Sequence, residues 1–374
     1  MRDLEFPGGV AVLTGAASGI GAALADGLAR RGCDLVLIDR DAEGLAAVVE
    51  SIRARHLPRE IDTHVVDLAD AEATDRVAAE IHRAHPRIRL LVNNAGVALG
   101  GRFDQVTLDE FLWVIEINFR AVVRLTHALL PALKAEPGAH LVNVSSLFGL
   151  IAPAGQAAYS ASKFAVRGFT EALRHELVDD GIGVTSVHPG GIRTRIAASA
   201  RVGSGVPVAE YEAGRRQFEK LLTIDPATAA EAILNGARRR RGRVLIGWSA
   251  KLPDLLARIA PAGYGRVLAL GMRSRPARVP APRAASAEPA PGGASATPGP
   301  GAASAARAAS AETNPGAAAV APVARAASAE TGPGAGSAAR VGAGPAVGVP
   351  GEPEPGAGVR PGGEAVAPDP GRPA

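Results

Sequence analysis

The sequence predicts an α/β protein built on a doubly wound sheet of seven parallel strands, followed by a disordered C-terminal tail. Three observations carry that expectation. Short runs rich in Val, Leu and Ile alternate with alanine-rich stretches of helical period, the pattern of repeated strand–helix–strand units. A glycine-rich turn joins the first of these runs to the first helical stretch. Every Phe, Trp and Tyr among the 374 residues lies at or before Tyr264, so the bulky core-forming side chains stop well short of the end.

The strand runs are Val10–Thr14, Asp34–Asp39, Ile61–Val66, Ile88–Val92, His140–Val144, Gly183–Val187 and Val244–Ile246. Apolar runs this short, bounded by turn residues, read as buried strands. Helix starts are marked by their caps. Thr107 with Glu110 forms a capping-box pattern, and Asp225 before Pro226 places an N-cap ahead of a proline at the first helical position. After the last strand, Leu252, Leu255, Leu256 and Ile259 recur at i, i+3, i+4 and i+7 and define one apolar helical face that ends before Pro261. Packing of that face on the core or on a sister subunit is expected. Peripheral contact with an anionic membrane is the alternative, because Arg238–Arg241 and Lys251 stand nearby.

Residues 1–275 are expected to form the folded domain and residues 276–374 a low-complexity Ala/Gly/Pro-rich tail. The tail lacks the bulky apolar groups that would offset the entropy of ordering it. RAASAE recurs in it at Arg283, Arg307 and Arg325, too irregularly for a packed repeat. It holds seven Arg against seven acidic residues, so the formal net charge of +4 belongs entirely to the first 275 residues. So small an excess does not call for nucleic acid as a partner. A lone cysteine, Cys33, excludes an internal disulfide and a Cys-built zinc site, and is expected to fill core space. No His-rich or acidic cluster suggests a metal site. The first ten residues lack the apolar run of a signal peptide, and no window offers the ~20 apolar residues of a membrane span. The expected location is the cytoplasm.

The first strand runs into Thr14-Gly15-Ala16-Ala17-Ser18-Gly19-Ile20-Gly21. Glycine at 15, 19 and 21 lets the backbone turn tightly and approach a pyrophosphate, while the following helix N-terminus presents free N–H groups to its charge. The spacing is not GxGxxG, and such turns also join strand to helix without binding anything. Asp39, ending the second strand, strengthens the case for a nucleotide. A carboxylate there accepts hydrogen bonds from the adenosine ribose and repels the extra phosphate of NADP, so NAD is the expected cofactor. Arg40, whose guanidinium can pair with a 2′-phosphate, keeps NADP as the alternative.

Tyr159-Ser160-Ala161-Ser162-Lys163 falls where a helix should begin after the fifth strand, which puts Tyr159 and Lys163 on one face, one turn apart. The chain holds only three Tyr and four Lys, so the pairing is unlikely to arise by chance. A phenol with an ordinary pKa of about 10 is protonated at neutral pH. An ammonium ~4 Å away would contribute up to roughly 4 kcal/mol, or about three pKa units, and bring it near 7. Tyr159 is thereby a candidate general acid/base.

TGAASGIG at 14–21, Asn93-Asn94-Ala95-Gly96, Ser146, Tyr159-x-x-x-Lys163 and Pro189-Gly190 together resemble the motifs of the short-chain dehydrogenase/reductase family, in its order and spacing, from about Phe6 to Arg273. The resemblance implies a single Rossmann-type domain that binds a nicotinamide dinucleotide and assembles as a homodimer or homotetramer. It implies that Tyr159 donates and accepts the proton, that Ser146 orients and polarises the substrate oxygen, and that Lys163 holds the nicotinamide ribose and depresses the phenol's pKa. Asn118 would help hold a water that continues the proton relay. Gly15, Ser18, Gly19, Ile20 and Gly21 would cradle the dinucleotide, with Asp39 and Arg40 at the adenosine ribose and Asp67 at the adenine. Asn93, Ala95 and Gly96 would close the fourth strand on the adenosine side, with Asn93 and Gly96 nearest the cofactor. Pro189, Gly190, Ile192 and Thr194 would belong to the loop at the nicotinamide. Of the adjacent serines Ser145 fits less well, and His188 reads as a packing residue at a strand end. The apolar segments Val97–Gly101 and Leu147–Ile151 suggest a hydrophobic secondary alcohol or ketone as substrate. A sensor or scaffold that binds NAD without turnover is the rival reading, and the complete set Asn118, Ser146, Tyr159 and Lys163 argues against it.

Overall fold

Strands with consecutive apolar residues, such as Ala11–Leu13 and Leu35–Ile38, need cover on both faces, and helices supply it here. In a computed structural model, which describes residues 2–55 and 60–266, seven strands form one parallel sheet. They are β1 (Val10–Thr14), β2 (Asp34–Asp39), β3 (Ile61–Val65), β4 (Leu90–Asn93), β6 (His140–Val144), β7 (Gly183–Pro189) and β9 (Arg243–Ile246). Their spatial order is β3-β2-β1-β4-β6-β7-β9. All seven expected runs are present, three with both ends unchanged and four with ends moved by one or two residues. The fourth begins at Leu90 because Ile88 bonds to Ala132 ahead of the ladder, and the sixth continues to Pro189 because β9 pairs with it that far. The expected tail, and the boundary set for it at 275, lie outside the described residues.

On one face α1 (Gly19–Arg30), α2 (Ala42–Arg53) and α9 (Pro226–Arg238) pack Leu24, Leu28, Leu45 and Ile233 against β1 and β2. On the other, α3 (Ala71–Ala84) and α5 (Ala121–Lys134) bring Val77, Ile81, Leu125 and Leu129. Cys33 lies wholly inside the first of these clusters. The capping signals hold. Thr107 caps α4 (Leu108–Ile115) in a reciprocal box with Glu110, and the Asp225 carboxylate accepts from Ala227 N–H ahead of Pro226. Strand order reverses between β1, which turns to β2, and β4, which continues to β6; the C-terminal ends of strands at such a switch point form a crevice.

Two features were not legible in the sequence pattern. A second, two-stranded sheet joins β5 (Leu99–Gly100) to β8 (Arg201–Val202), strands too short to leave a periodic signal. The helix after β9, α10 (Trp248–Ile259), does not pack the expected apolar face on the core: it buries Ala250 and Asp254 and leaves Leu252, Leu255 and Ile259 exposed.

Candidate active site

The crevice is assembled from strand ends that brace one another. The Thr14 hydroxyl accepts from the N–H groups of Asn94 and Ala95, each at 3.0 Å, and the Asn94 amide donates to the carbonyls of Thr14 and Gly15 at 3.0 and 3.2 Å. Gly15 and Gly19 stand in the left-handed region, at φ 68° and 55°, where a side chain is strained. A Cβ on Gly21 would overlap the Gly15 carbonyl oxygen. Ser18 is the N-cap of α1, yet its side chain makes no capping bond and the first turn holds no acidic residue. Ile20 packs on the core beneath. The helix N-terminus is therefore open to an anionic group.

At the neighbouring strand end the Asp39 carboxylate accepts from Ala17 N–H at 2.9 Å and from Asp41 N–H at 3.1 Å, with Arg40 exposed beside it. Asp67 follows β3 and accepts from Ala69 N–H at 3.0 Å. A turn that tolerates no added carbon, an open helix N-terminus and a pinned carboxylate fit a dinucleotide. Asn93 is placed differently from the expected residue nearest the cofactor. Its side chain is buried within the sheet, donating to Thr126 Oγ1 at 3.0 Å and Asn143 Oδ1 at 2.8 Å, while Asn143 donates to Thr170 Oγ1 at 3.0 Å.

The second half of the crevice belongs to α6 (Ala157–Glu176), which carries Tyr159 and Lys163. Lys163 Nζ lies 5.8 Å from the Tyr159 ring centroid and donates to the Val144 carbonyl at 3.1 Å. Ser145 donates to the Lys163 carbonyl at 2.8 Å and so pins the helix to β6. Ser146 caps the short turn Leu147–Gly149, accepting from Phe148 N–H at 3.1 Å, and hydrogen-bonds the Tyr159 hydroxyl. Asn118 sits in a π-helical turn, Glu116–Arg120, a distortion that recurs at functional sites. Its amide accepts from Val97 N–H at 2.8 Å and donates to the Val97 carbonyl and Ser162 Oγ, both at 3.0 Å. A Cβ on Gly96 would come within 3.2 Å of Lys163 Nζ and 3.3 Å of Asn118 Oδ1. The bare glycine is what lets β4, the π turn and α6 meet.

The electrostatics correct one expectation. Burial pushes Lys163 down to about 8 and pushes the Tyr159 phenol up, with the Ser146 hydrogen bond pulling the phenol partly back. The sequence reading weighed only neighbouring positive charge and omitted desolvation, which disfavours both charged forms. In this site the ammonium lies over the ring and is hydrogen-bonded to a backbone carbonyl, whereas the phenol answers chiefly to its own burial.

His188 lies fully buried near the end of β7, with Nδ1 3.1 Å from the Ser146 carbonyl oxygen and Nε2 2.9 Å from Ser186 Oγ. Burial pushes it down to about 4, so the ring is neutral. Beyond Pro189 and Gly190, Ile192 is buried and bridges to Ile224, and Thr194 leans on Gly19. The segment then pairs β8 with β5, sets the Arg201 guanidinium 3.7 Å from the Trp113 ring centroid, and offers Ser204 N–H to Glu110 at 3.0 Å. Sequence reasoning did not single out Thr14, Asn94, Ser162 or Trp113. Thr14 and Asn94 stood inside the quoted motifs and at strand ends, but no role was read from them.

Among the described residues no group of three or more His, Cys, Asp or Glu stands where it could hold a metal ion, and no helix is long and apolar enough to cross a membrane. A family model described as short chain dehydrogenase matches residues 9–204. A putative oxidoreductase, SadH, of Mycobacterium tuberculosis (strain ATCC 25618 / H37Rv) is 42% identical over 275 residues, covering 72% of this chain and 96% of that protein. A short-chain dehydrogenase/reductase from Burkholderia phymatum, solved in complex with NAD, superposes with a TM-score of 0.64 at 30% identity, over 69% of this chain and 95% of its own. A metagenomic short-chain oxidoreductase in complex with NADP gives 0.53 at 32% identity, over 65% and 98%. The glycine turn, the Asn93–Gly96 segment and the Tyr159–Lys163 pair thus lie in a chain that belongs to the short-chain dehydrogenase family, oxidoreductases with an NAD(P)-binding Rossmann fold.

Proposed function

We propose that the protein transfers a hydride between NAD and a hydrophobic secondary alcohol or ketone, with Tyr159 as the general acid/base. The single observation that carries this reading is the meeting of Tyr159, Ser146 and Lys163 at the strand ends beside the glycine turn. The bound nicotinamide supplies or accepts the hydride. The Tyr159 hydroxyl exchanges the proton with the substrate oxygen, and the Ser146 hydroxyl, bonded to it, holds that oxygen in place. Because burial favours the neutral phenol, the protein's own groups suit Tyr159 to donating a proton to a carbonyl. Oxidation of an alcohol calls for added positive charge near the phenol, which an oxidised nicotinamide carries.

NAD rather than NADP is favoured by Asp39, whose carboxylate is held at the strand end and would face a 2′-phosphate with like charge. Both nucleotides occur among similar solved structures. A hydrophobic substrate is supported by Phe148, packed edge-on against Tyr159 with centroids 6.1 Å apart, by buried Leu150 and Ile151 nearby in the chain, and by Leu99, buried in one cluster with Ala158. Homodimeric or homotetrameric assembly belongs to the same proposal and is supported by family membership, and a cytoplasmic location by the single cysteine.

The test is a screen of apolar secondary alcohols with NAD and with NADP, read as growth of nicotinamide absorbance. Tyr159→Phe should lower turnover by at least about a thousandfold while leaving the Kd for NAD within about threefold. Near-normal turnover in that variant would remove Tyr159 from the mechanism. NAD binding without turnover of any alcohol or ketone would favour a sensor.

A further inference from the structure

The outward face of α10 is apolar in a way that nothing in the described chain relieves. Trp248, Leu252, Leu255 and Ile259 are 81%, 67%, 53% and 74% exposed. At about 100° per residue they fall within ~60° of one another around the helix, a narrow stripe some 17 Å long. One edge of the stripe carries Lys251 and Arg258, both exposed, with Lys251 Nζ 5.3 Å from the Trp248 ring centroid. The helix has a single carboxylate, Asp254, and it is turned inward, 2.6 Å from Arg243 and 3.1 Å from Arg258. Every charge this helix shows to solvent is therefore positive.

The wider sequence is polarised the same way. Residues 238–275 hold ten Lys and Arg against Asp254 alone, whereas residues 1–237 hold 24 basic against 29 acidic residues. The segment that carries α10 is thus basic in a chain whose earlier residues are net acidic, which favours anions as its partners.

Two other occupants fit less well. An antiparallel pair of copies would set Lys251 of each against Arg258 of the other across the twofold axis, and four side chains fall well short of the ~800 Å² per partner of a stable pair. Residues 276–374 contain no Leu, Ile, Met, Phe, Trp or Tyr with which to cover the stripe, and residues 267–275, which hold Leu268, Leu270 and Met272, bring Arg273 and Arg275 and no carboxylate to its cations. A Trp at one end, aliphatic side chains in line and cations along one edge match instead the requirements of the interface between acyl chains and anionic headgroups. We infer that α10 is a peripheral docking surface for anionic lipid membranes, with Trp248, Leu252, Leu255 and Ile259 entering the acyl boundary and Lys251 and Arg258 contacting headgroup phosphates. The helix also holds the nicotinamide-side loop, since Ser249 Oγ accepts from Gly191 N–H at 3.2 Å, so docking sets the crevice beside the lipid surface.

The full chain is sedimented with vesicles of equal parts phosphatidylcholine and phosphatidylglycerol, and with phosphatidylcholine alone. Binding to the anionic vesicles with a blue shift of tryptophan emission is expected, together with at least about fivefold weaker binding to the neutral ones. Leu255→Asp with Ile259→Asp should cut binding about tenfold or more, and Lys251→Glu several-fold. Far-UV circular dichroism and the thermal midpoint check the fold; should the double variant not fold, Leu252→Glu at a well-solvated position carries the same test. Absence of binding to either vesicle, or binding unchanged in the folded variants, overturns the inference. So does a drop in assembly state in those variants without a loss of lipid binding, which would make the stripe an interface between copies.

Discussion

The Nδ1 of His188 lies 3.1 Å from the carbonyl oxygen of Ser146, tying the end of β7 to the residue whose hydroxyl bonds Tyr159. With Nε2 accepting from Ser186 Oγ, Nδ1 carries the proton and donates it to that carbonyl. His188→Leu removes the donor and should lower kcat by roughly tenfold to a hundredfold through a misplaced serine, with the Kd for NAD unchanged. His188→Asn offers an amide N–H at the same place and should recover most of the loss. Equal effects of Leu and Asn would assign the histidine to packing alone.

The same burial makes the protein sensitive to acid. His188 and His140 are held down to about 4 and about 3, from an ordinary 6.5, by desolvation. Each is neutral in the folded state and charges readily in the unfolded one. Their contribution is complete above pH 6.5 and is lost as pH falls towards 4, at about 3 kcal/mol for His188 alone. Thermal midpoints should decline steadily across that window, and His188→Asn should flatten part of the decline.

Two glycines separate close approach from mere permissiveness. A Cβ on Gly21 would overlap the Gly15 carbonyl, whereas one on Gly168, in the exposed middle of α6, would meet nothing within 4 Å. Gly21→Ala should weaken NAD binding by more than about tenfold or destabilise the fold by about 2 kcal/mol or more. Gly168→Ala should stabilise it by about 0.5–1 kcal/mol. Chemical denaturation and NAD titration measure both.

Arg201 reaches from the substrate-side segment to the Trp113 ring on α4, a contact worth about 0.5–2 kcal/mol. Arg201→Ala should raise KM for the substrate several-fold while changing kcat by less than about threefold, because nothing in it touches Tyr159, Ser146 or Lys163. Steady-state kinetics on any substrate found by the alcohol screen decide it.

The fold and the position of the reacting groups were readable because both follow from short-range rules. Ala11–Leu13 and Leu35–Ile38 are apolar throughout, and only a sheet covered on both faces accommodates them; Tyr159 and Lys163 share a face because they are four apart on a helix. What escaped depended on contacts between distant segments. Trp113 and Arg201 meet across 88 positions of chain, and no local pattern marks either residue. The Tyr159 phenol was expected to ionise easily because its ammonium neighbour is visible in the sequence, while the burial that opposes ionisation is a property of the assembled crevice. The stripe on α10 had the right period, but period alone does not say whether an apolar face is covered.

The bridge between Ile192 and Ile224 closes the base of the substrate-side segment into a loop with fixed feet. Between those feet Thr194 and Arg195 lean on Gly19 and Asp41, and the stretch from Arg201 to Ser204 rests on β5 and α4. Lengthening such a loop twofold costs only about 0.6 kcal/mol in closure entropy. On the function proposed above, the stretch beyond Arg195 is an exchangeable cassette: descendants of this chain would acquire new molecular tastes by rewriting it while the groups beneath are inherited unaltered.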